Sequence, residues 1–345
     1  MIDNWKTPLL LFLATFVTTT FCRFGFDGGL LYQMLLSSCL AVLGADTPVH
    51  WNVFRELLWQ SLLFSLPLMI ILTCHEFGHF LQSRRYKVRS SLPYFIPVPF
   101  GLLGTLGAVI VMDDRVPNSK ALFDIGISGP LAGLVPTLIF LYWGIQQSYI
   151  VPMPEGELLL GDPLLMQWTA LWIYGEIPPD MILQSHPFAT AAWAGLLLTS
   201  LNLMPVGQLD GGHVFHSLLG KYSPILMKTG FYLAVVLLIY YRLWHWSLII
   251  LLLAAVGITH PPTSNDAMRL NWFRRVLGWA TLAFVVIGFA PNPITFNDEQ
   301  PAVANQPVWY CRLKNPCSPQ SRLPSITSCC KIIQKRQNNI SFVSF

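Results

Sequence analysis

Between Glu56 and Thr73 the chain is almost wholly apolar, and this run leads directly into His75, Glu76 and His79. About 20 apolar residues cross a bilayer as a helix, so the run reads as a membrane span with ionisable groups at its end. Such groups beside hydrocarbon are costly and by default mark function. Similar runs recur at about 7–22, 29–44, 57–78, 123–145, 187–206, 226–241, 245–258 and 273–290. The first two and the seventh are short, which sets the expected count at seven or eight. Only 11% of the 345 residues are charged, against about 25% in an average soluble domain. The fold class expected is therefore an all-α polytopic membrane protein. No small-residue cleavage site follows Lys6, so the first run reads as a span and not as a cleaved leader.

Charge placement orients the spans. Residues 82–120 carry Arg84, Arg85, Lys87, Arg89, Arg115 and Lys120; Lys221 and Lys228 follow the fifth run, and Arg269, Arg274 and Arg275 the seventh. Residues 146–186 hold Glu155, Glu157, Asp162, Glu176 and Asp180 and neither Lys nor Arg. The positive-inside rule places the basic segments in the cytoplasm and the acidic loop outside. The net charge of +4 gives no ground for a nucleic-acid partner. From about Pro291 the chain is rich in Pro, Ser, Asn and Lys/Arg without a sustained period, and it reads as a disordered tail. The spacing of Cys311, Cys317, Cys329 and Cys330 within it supports no metal knuckle.

The stretch "HEFGH", residues 75–79, has its histidines four apart. On a helix that places them about 40° from each other around the axis, on one face. Two imidazoles so placed ligate one zinc ion, and Glu76 between them reaches water at the metal as a general base. Coordination brings the pKa of that water toward 7. A catalytic zinc normally takes a third protein ligand. The fifth run ends "LLLTSLNLMPVGQLDGGHVF", residues 196–215, where Pro205 and the glycines favour irregular backbone. Asp210 is the third-ligand candidate and His213 its competitor, because Gly211 and Gly212 disfavour the helix that would put both on one face. Asn202 offers an amide for the substrate backbone or an oxyanion. The loop charges bring both motifs to the same, cytoplasmic ends of their spans.

His75-Glu76-Phe77-Gly78-His79, followed by Asn202-Leu203-Met204-Pro205 and Leu209-Asp210-Gly211, resembles the site-2 protease family of intramembrane zinc metalloproteases. The likeness covers roughly residues 57–220. It implies that His75, His79 and Asp210 bind one Zn2+ per chain within the membrane, that Glu76 is the catalytic base, and that Asn202 assists near the substrate. The glycine-punctuated segment 100–134 also resembles that family, which implies a short re-entrant β-like element whose edge pairs with an extended substrate. Asp124 reads as the N-cap of the fourth span, and Gly129 and Gly133 as a small-residue pair for helix packing. The organisation expected is an N-terminal transmembrane hairpin (1–56), a catalytic core (57–220), C-terminal transmembrane helices (221–290) and the tail (291–345). The acidic loop lacks the strand pattern of a PDZ domain, and its Trp168, Trp172 and Tyr174 suit a membrane interface.

The function implied is cleavage in or near the transmembrane segment of a membrane protein, with that substrate and the membrane lipid as partners and no oligomeric state specified. The expected location is the cell inner membrane, with the site toward the cytoplasm. Two rivals follow from the same residues: a transporter or channel using the His/Asp cluster as a metal or proton path, and an inert family member acting as a binding partner.

Overall fold

The computed structural model describes residues 5–26, 51–99, 103–112, 116–153, 158–259, 268 and 270–296. The expected span at 29–44 and the four tail cysteines lie outside them. Every described residue belongs to one compact unit, Met1–Asn297.

Three helical stretches among the described residues are long and apolar enough to cross a membrane: Phe54–Arg85, Ser119–Gln146 and Asp210–Tyr240. This makes the chain a helical membrane protein. By length and apolarity, three of the seven or eight apolar runs are thus candidate crossings among the described residues. The runs at 7–22, 187–206, 245–258 and 273–290 also form helices, namely α1 (Lys6–Phe26), α5 (Pro187–Asn202), α8 (Ser247–Val256) and α9 (Trp272–Gly288). The last three have fewer than 18 residues.

Helix α2 (Trp51–Arg85) and helix α3 (Ser119–Gln146) form the centre of the bundle. They run antiparallel: His75 lies beside Gly133, and Gly78 lies beside Ser128. Antiparallel packing sends the basic segment after Arg85 and the acidic loop after Gln146 to opposite ends of the pair. Helix α5 is short for a crossing, about 24 Å at 1.5 Å per residue, yet twelve of its sixteen residues are buried. Enclosed by its neighbours, it faces little lipid. Hydrocarbon gives two apolar helices no reason to associate, so close backbone approach has to supply the attraction. Small residues allow it here: Gly195 of α5 meets Ile71 and Thr137, and Gly144 of α3 meets Ala189.

Helix α3 begins five residues before the expected Asp124. The Asn118 side chain accepts the Ala121 N–H at 2.9 Å and caps the helix in polar sequence ahead of the apolar run. Hydropathy marks only the lipid-length part of a helix, so the cap lay beyond it.

Within the segment 100–134 expected to be β-like, only Thr105–Val109 is strand among the described residues (β2). It pairs in a hairpin with β1 (Tyr94–Pro97), which precedes the segment, and from Ser119 the segment belongs to α3. Phe95 opposes Ala108 and Pro97 opposes Thr105, so β2 holds one extra residue, a bulge at Leu106–Gly107. Gly107 has φ +93°, where a side chain is strained. Helix α1 supports the hairpin from outside, through a Phe12–Phe95 edge contact and a Thr18 hydroxyl bond of 2.8 Å to the Gly104 carbonyl.

The acidic loop holds more structure than its sequence suggested. Strand β3 (Tyr149–Pro152) pairs with β5 (Met181–Gln184), and helix α4 (Leu164–Tyr174) lies between them in sequence. Strand β4 (Leu158–Leu160) pairs with β6 (Ile294–Phe296), and the Gly161 N–H adds a bond of 3.1 Å to the Pro293 carbonyl. Ile294–Phe296, expected to lie in a disordered tail from Pro291, thus form a paired strand. Three-residue strands carry too little periodicity to be read before their partner is known.

Candidate metal centre

His75 and His79 stand on the face of α2 that meets α3. Their rings rest on two glycines of that helix. A Cβ at Gly129 would overlap the His79 imidazole, and one at Gly133 would come within 3.0 Å of the His75 Cβ. The two glycines expected to serve plain helix packing thus make room for the histidines.

The third group arrives from a broken helix. Helix α5 ends at Asn202, and the chain turns through Leu203–Leu209 before helix α6 (Asp210–Leu219) begins. Gly207 has φ +56° and donates its N–H to the Ile258 carbonyl at 2.9 Å. Gly211 and Gly212 lie inside α6, contrary to the expectation that they would keep the segment from being helical. Their reason is close approach: a Cβ at either would overlap a backbone carbonyl, Leu203 O or Gly207 O. The helix-propensity cost of about 1 kcal/mol per glycine is the smaller effect. Asp210 therefore sits in the first turn of α6, where the N-terminal dipole favours a carboxylate.

His75 Nε2 lies 3.1 Å from Asp210 Oδ2, His79 Nε2 lies 3.2 Å from Asp210 Oδ1, and the two Nε2 atoms are 3.2 Å apart. Among the described residues, this is the group of three or more His, Cys, Asp or Glu side chains that can share an ion. His213 is outside it; its Cβ packs at Gly126. His79 Nδ1 lies 2.8 Å from the Ile125 carbonyl. A carbonyl only accepts, so Nδ1 carries the proton and Nε2 of the neutral ring turns its lone pair toward the cluster. Lone pairs and a carboxylate converging in a buried site call for a cation between them. A tetrahedral ion with bonds of about 2.0–2.1 Å holds its donors roughly 3.3–3.4 Å apart, close to the spacing here. The donor set fits zinc.

Glu76 and Asn202 face the same small cavity, of about 40 Å³, together with His75 and Thr199. Its other wall is Leu106, Gly107 and Ala108 of β2. One water needs only about 10–15 Å³ of such space, so the cavity admits water beside Glu76 and His75. Glu76 is only 5% exposed. Ten residues separate His75 from Arg85 and Gly129 from Ser119, which sets the site about 15 Å from the basic end of the helix pair. That is about half of a 30 Å hydrocarbon core.

The comparisons with known proteins agree with this geometry. The family model for peptidase family M50 matches residues 63–240, just over half of the chain. The chain is similar to probable zinc metalloprotease EGY1, chloroplastic, of Arabidopsis thaliana, with 30% identity over 253 residues covering 68% of this chain and 44% of the relative. It is 28% identical over 257 residues to probable zinc metalloprotease EGY2, chloroplastic, of Oryza sativa subsp. indica, covering 71% of this chain and 45% of the relative. The chain thus spans less than half the length of these curated relatives. No solved structure matches it. The matched region runs from within α2 to the end of α7 (Ser223–Tyr240), the helix that follows α6, and so encloses His75, Glu76, His79, Asn202 and Asp210. The chain belongs to peptidase family M50, the site-2 protease family.

Proposed function

We propose that the chain is a zinc-dependent intramembrane endopeptidase, which hydrolyses a peptide bond in or near the membrane-spanning helix of another membrane protein. The observation that carries this reading is the convergence of His75, His79 and Asp210 beside a cavity lined by Glu76 and Asn202. His75, His79 and Asp210 hold one zinc ion per chain. When bound, zinc supplies Lewis acidity, which lowers the pKa of water toward 7 and polarises a carbonyl. Glu76 accepts the proton that water gives up as its oxygen adds to the scissile carbonyl carbon. It then delivers that proton to the departing amine nitrogen, so that water and a peptide bond become a carboxyl and an amine. The Asn202 amide, in the same cavity, holds the substrate backbone or donates to the carbonyl oxygen as charge builds there.

The substrate enters along β2. A transmembrane helix has its amides already bonded, so the cleaved stretch must leave its helix and find other partners. Among the described residues β2 pairs only with β1, and its bulge turns Leu106 and Gly107 toward the cavity. Its other edge offers the replacement bonds, with the hairpin dipping to the depth of the site. The Thr105 hydroxyl accepts the Gly107 N–H at 3.0 Å and keeps the bulge in shape. The catalytic end of the bundle faces the compartment that holds the basic segment, and lipid covers outward side chains such as Leu66, Ile70, Val135 and Ile139.

Metal analysis with a model membrane substrate tests the reading. The purified protein is expected to hold one zinc per chain, and Glu76→Gln to keep that zinc while cleavage falls by about 10²–10⁴-fold. Undiminished cleavage by Glu76→Gln would sink the mechanism. Zinc or proton flux into liposomes without peptide release would put a transporter in its place.

A further inference from the structure

A second polar cluster joins three helices near the metal centre. Arg274, in the first turn of α9, places Nε 2.7 Å from Asp124 Oδ1 and an Nη 2.9 Å from Asp124 Oδ2. Tyr86, just past the end of α2, donates its hydroxyl to the same Oδ2. The guanidinium is also held from its own helix, because the N-cap Asn271 accepts the Arg274 backbone N–H at 3.2 Å and its other Nη at 3.3 Å. The Asp124 side chain is 13% exposed and that of Arg274 25%. A two-pronged, charge-assisted pair of this kind fixes geometry as well as adding energy.

What the cluster holds is one turn of α3. Asp124 directly precedes Ile125, whose carbonyl accepts the hydrogen bond from His79 Nδ1–H. Phe123, on the other side, is buried in a cluster with Val214 of α6 and Leu270, and Gly278 of α9 lies against its ring. The turn 123–125 is thus gripped by polar bonds at Asp124 and by packing at Phe123. Its carbonyl in turn sets the ring that presents Nε2 to the ion. Arg274 lies beyond the residues that match the family.

We infer that Arg274, with Asp124 and Tyr86, is a positioning brace for the metal centre, acting through the Ile125 carbonyl to aim His79. This rests on the zinc reading above. The physical ground is that a partner fixing a ligating imidazole controls both its tautomer and its direction, and with them metal affinity. A mere tie between helices would contribute stability and leave the affinity of the folded protein alone.

Zinc competition against a chelator separates the two roles, with thermal unfolding followed in parallel on the full chain in detergent. Arg274→Gln is expected to weaken zinc about tenfold, the lower end of the range for partners outside the ligand set. Tyr86→Phe, which removes one hydroxyl, should act in the same direction by a smaller factor. The apolar pair Asp124→Leu with Arg274→Leu leaves no unpaired charge, so it should unfold at a higher temperature than Arg274→Gln while its zinc stays weak. Zinc affinity within about twofold of wild type in folded Arg274→Gln would reduce the brace to a helix tie. If Arg274→Gln does not fold, the same result in Tyr86→Phe and the apolar pair overturns it. Wild-type protein that binds no zinc would instead overturn the zinc reading itself, a separate outcome.

Discussion

Gly129 and Gly133 show how residue-scale detail escapes a sequence. Two glycines four apart on an apolar helix read as a packing pair, and they are one; the structure identifies what packs there as the His79 and His75 side chains. Gly129→Ala should therefore cost at least about tenfold in zinc affinity, as for groups that orient a ligand. Gly230→Ala is the control, because a Cβ there meets nothing within 4 Å. Equal zinc binding by the two variants would mean that His79 has room to move. The Asp210 and His213 alternative resolves at the same scale. Only Asp210 reaches the two imidazoles, so Asp210→Ala should lose most bound zinc while His213→Ala keeps about one per chain. The reverse pattern would remove Asp210 from the ligand set. Sequence order placed both candidates near the site, and the direction in which α6 leaves the turn selected between them.

At the scale of elements, the central device is the interruption between α5 and α6. Pro205 and the glycines signalled irregular backbone, and the turn Leu203–Leu209 occupies that place. What no local pattern conveyed is that helix resumes at Asp210. The other end of α5 is capped by a titratable group: His186 Nδ1 accepts the Phe188 N–H at 3.2 Å. Partial burial holds the His186 imidazole below its ordinary value, so the unfolded chain takes up the proton more readily than the folded one. Its contribution to stability is full above about pH 6.5 and is lost as pH falls below that value. Asparagine caps without titrating, so His186→Asn should flatten the fall in unfolding temperature between about pH 7.5 and 5.5. Identical pH profiles for the two proteins would show that this cap carries none of the dependence. The strands of the acidic loop were invisible to pattern because each is short and pairs with a segment far along the chain, as β4 does with β6.

At the scale of the whole molecule, antiparallel α2 and α3 send the basic and acidic segments to opposite ends of one pair, the arrangement that loop charge alone suggested. With a cysteine at the exposed Arg89 or Glu176, an impermeant thiol reagent added outside sealed cells should label Glu176→Cys and spare Arg89→Cys. Opposite labelling would turn the catalytic end to the exterior. Sequence alone determined the membrane class, the ligating pair on one helical face and the residues competing to complete it, because hydropathy and helical spacing are local properties. It also carried the family, through the two motifs. Tertiary structure decided the rest: which of Asp210 and His213 meets the two histidines, which glycines make space for them, how the hairpin borders the cavity, and that Asp124 binds Arg274, 150 residues away. Those features depend on contacts between distant segments, whose partners no local pattern names.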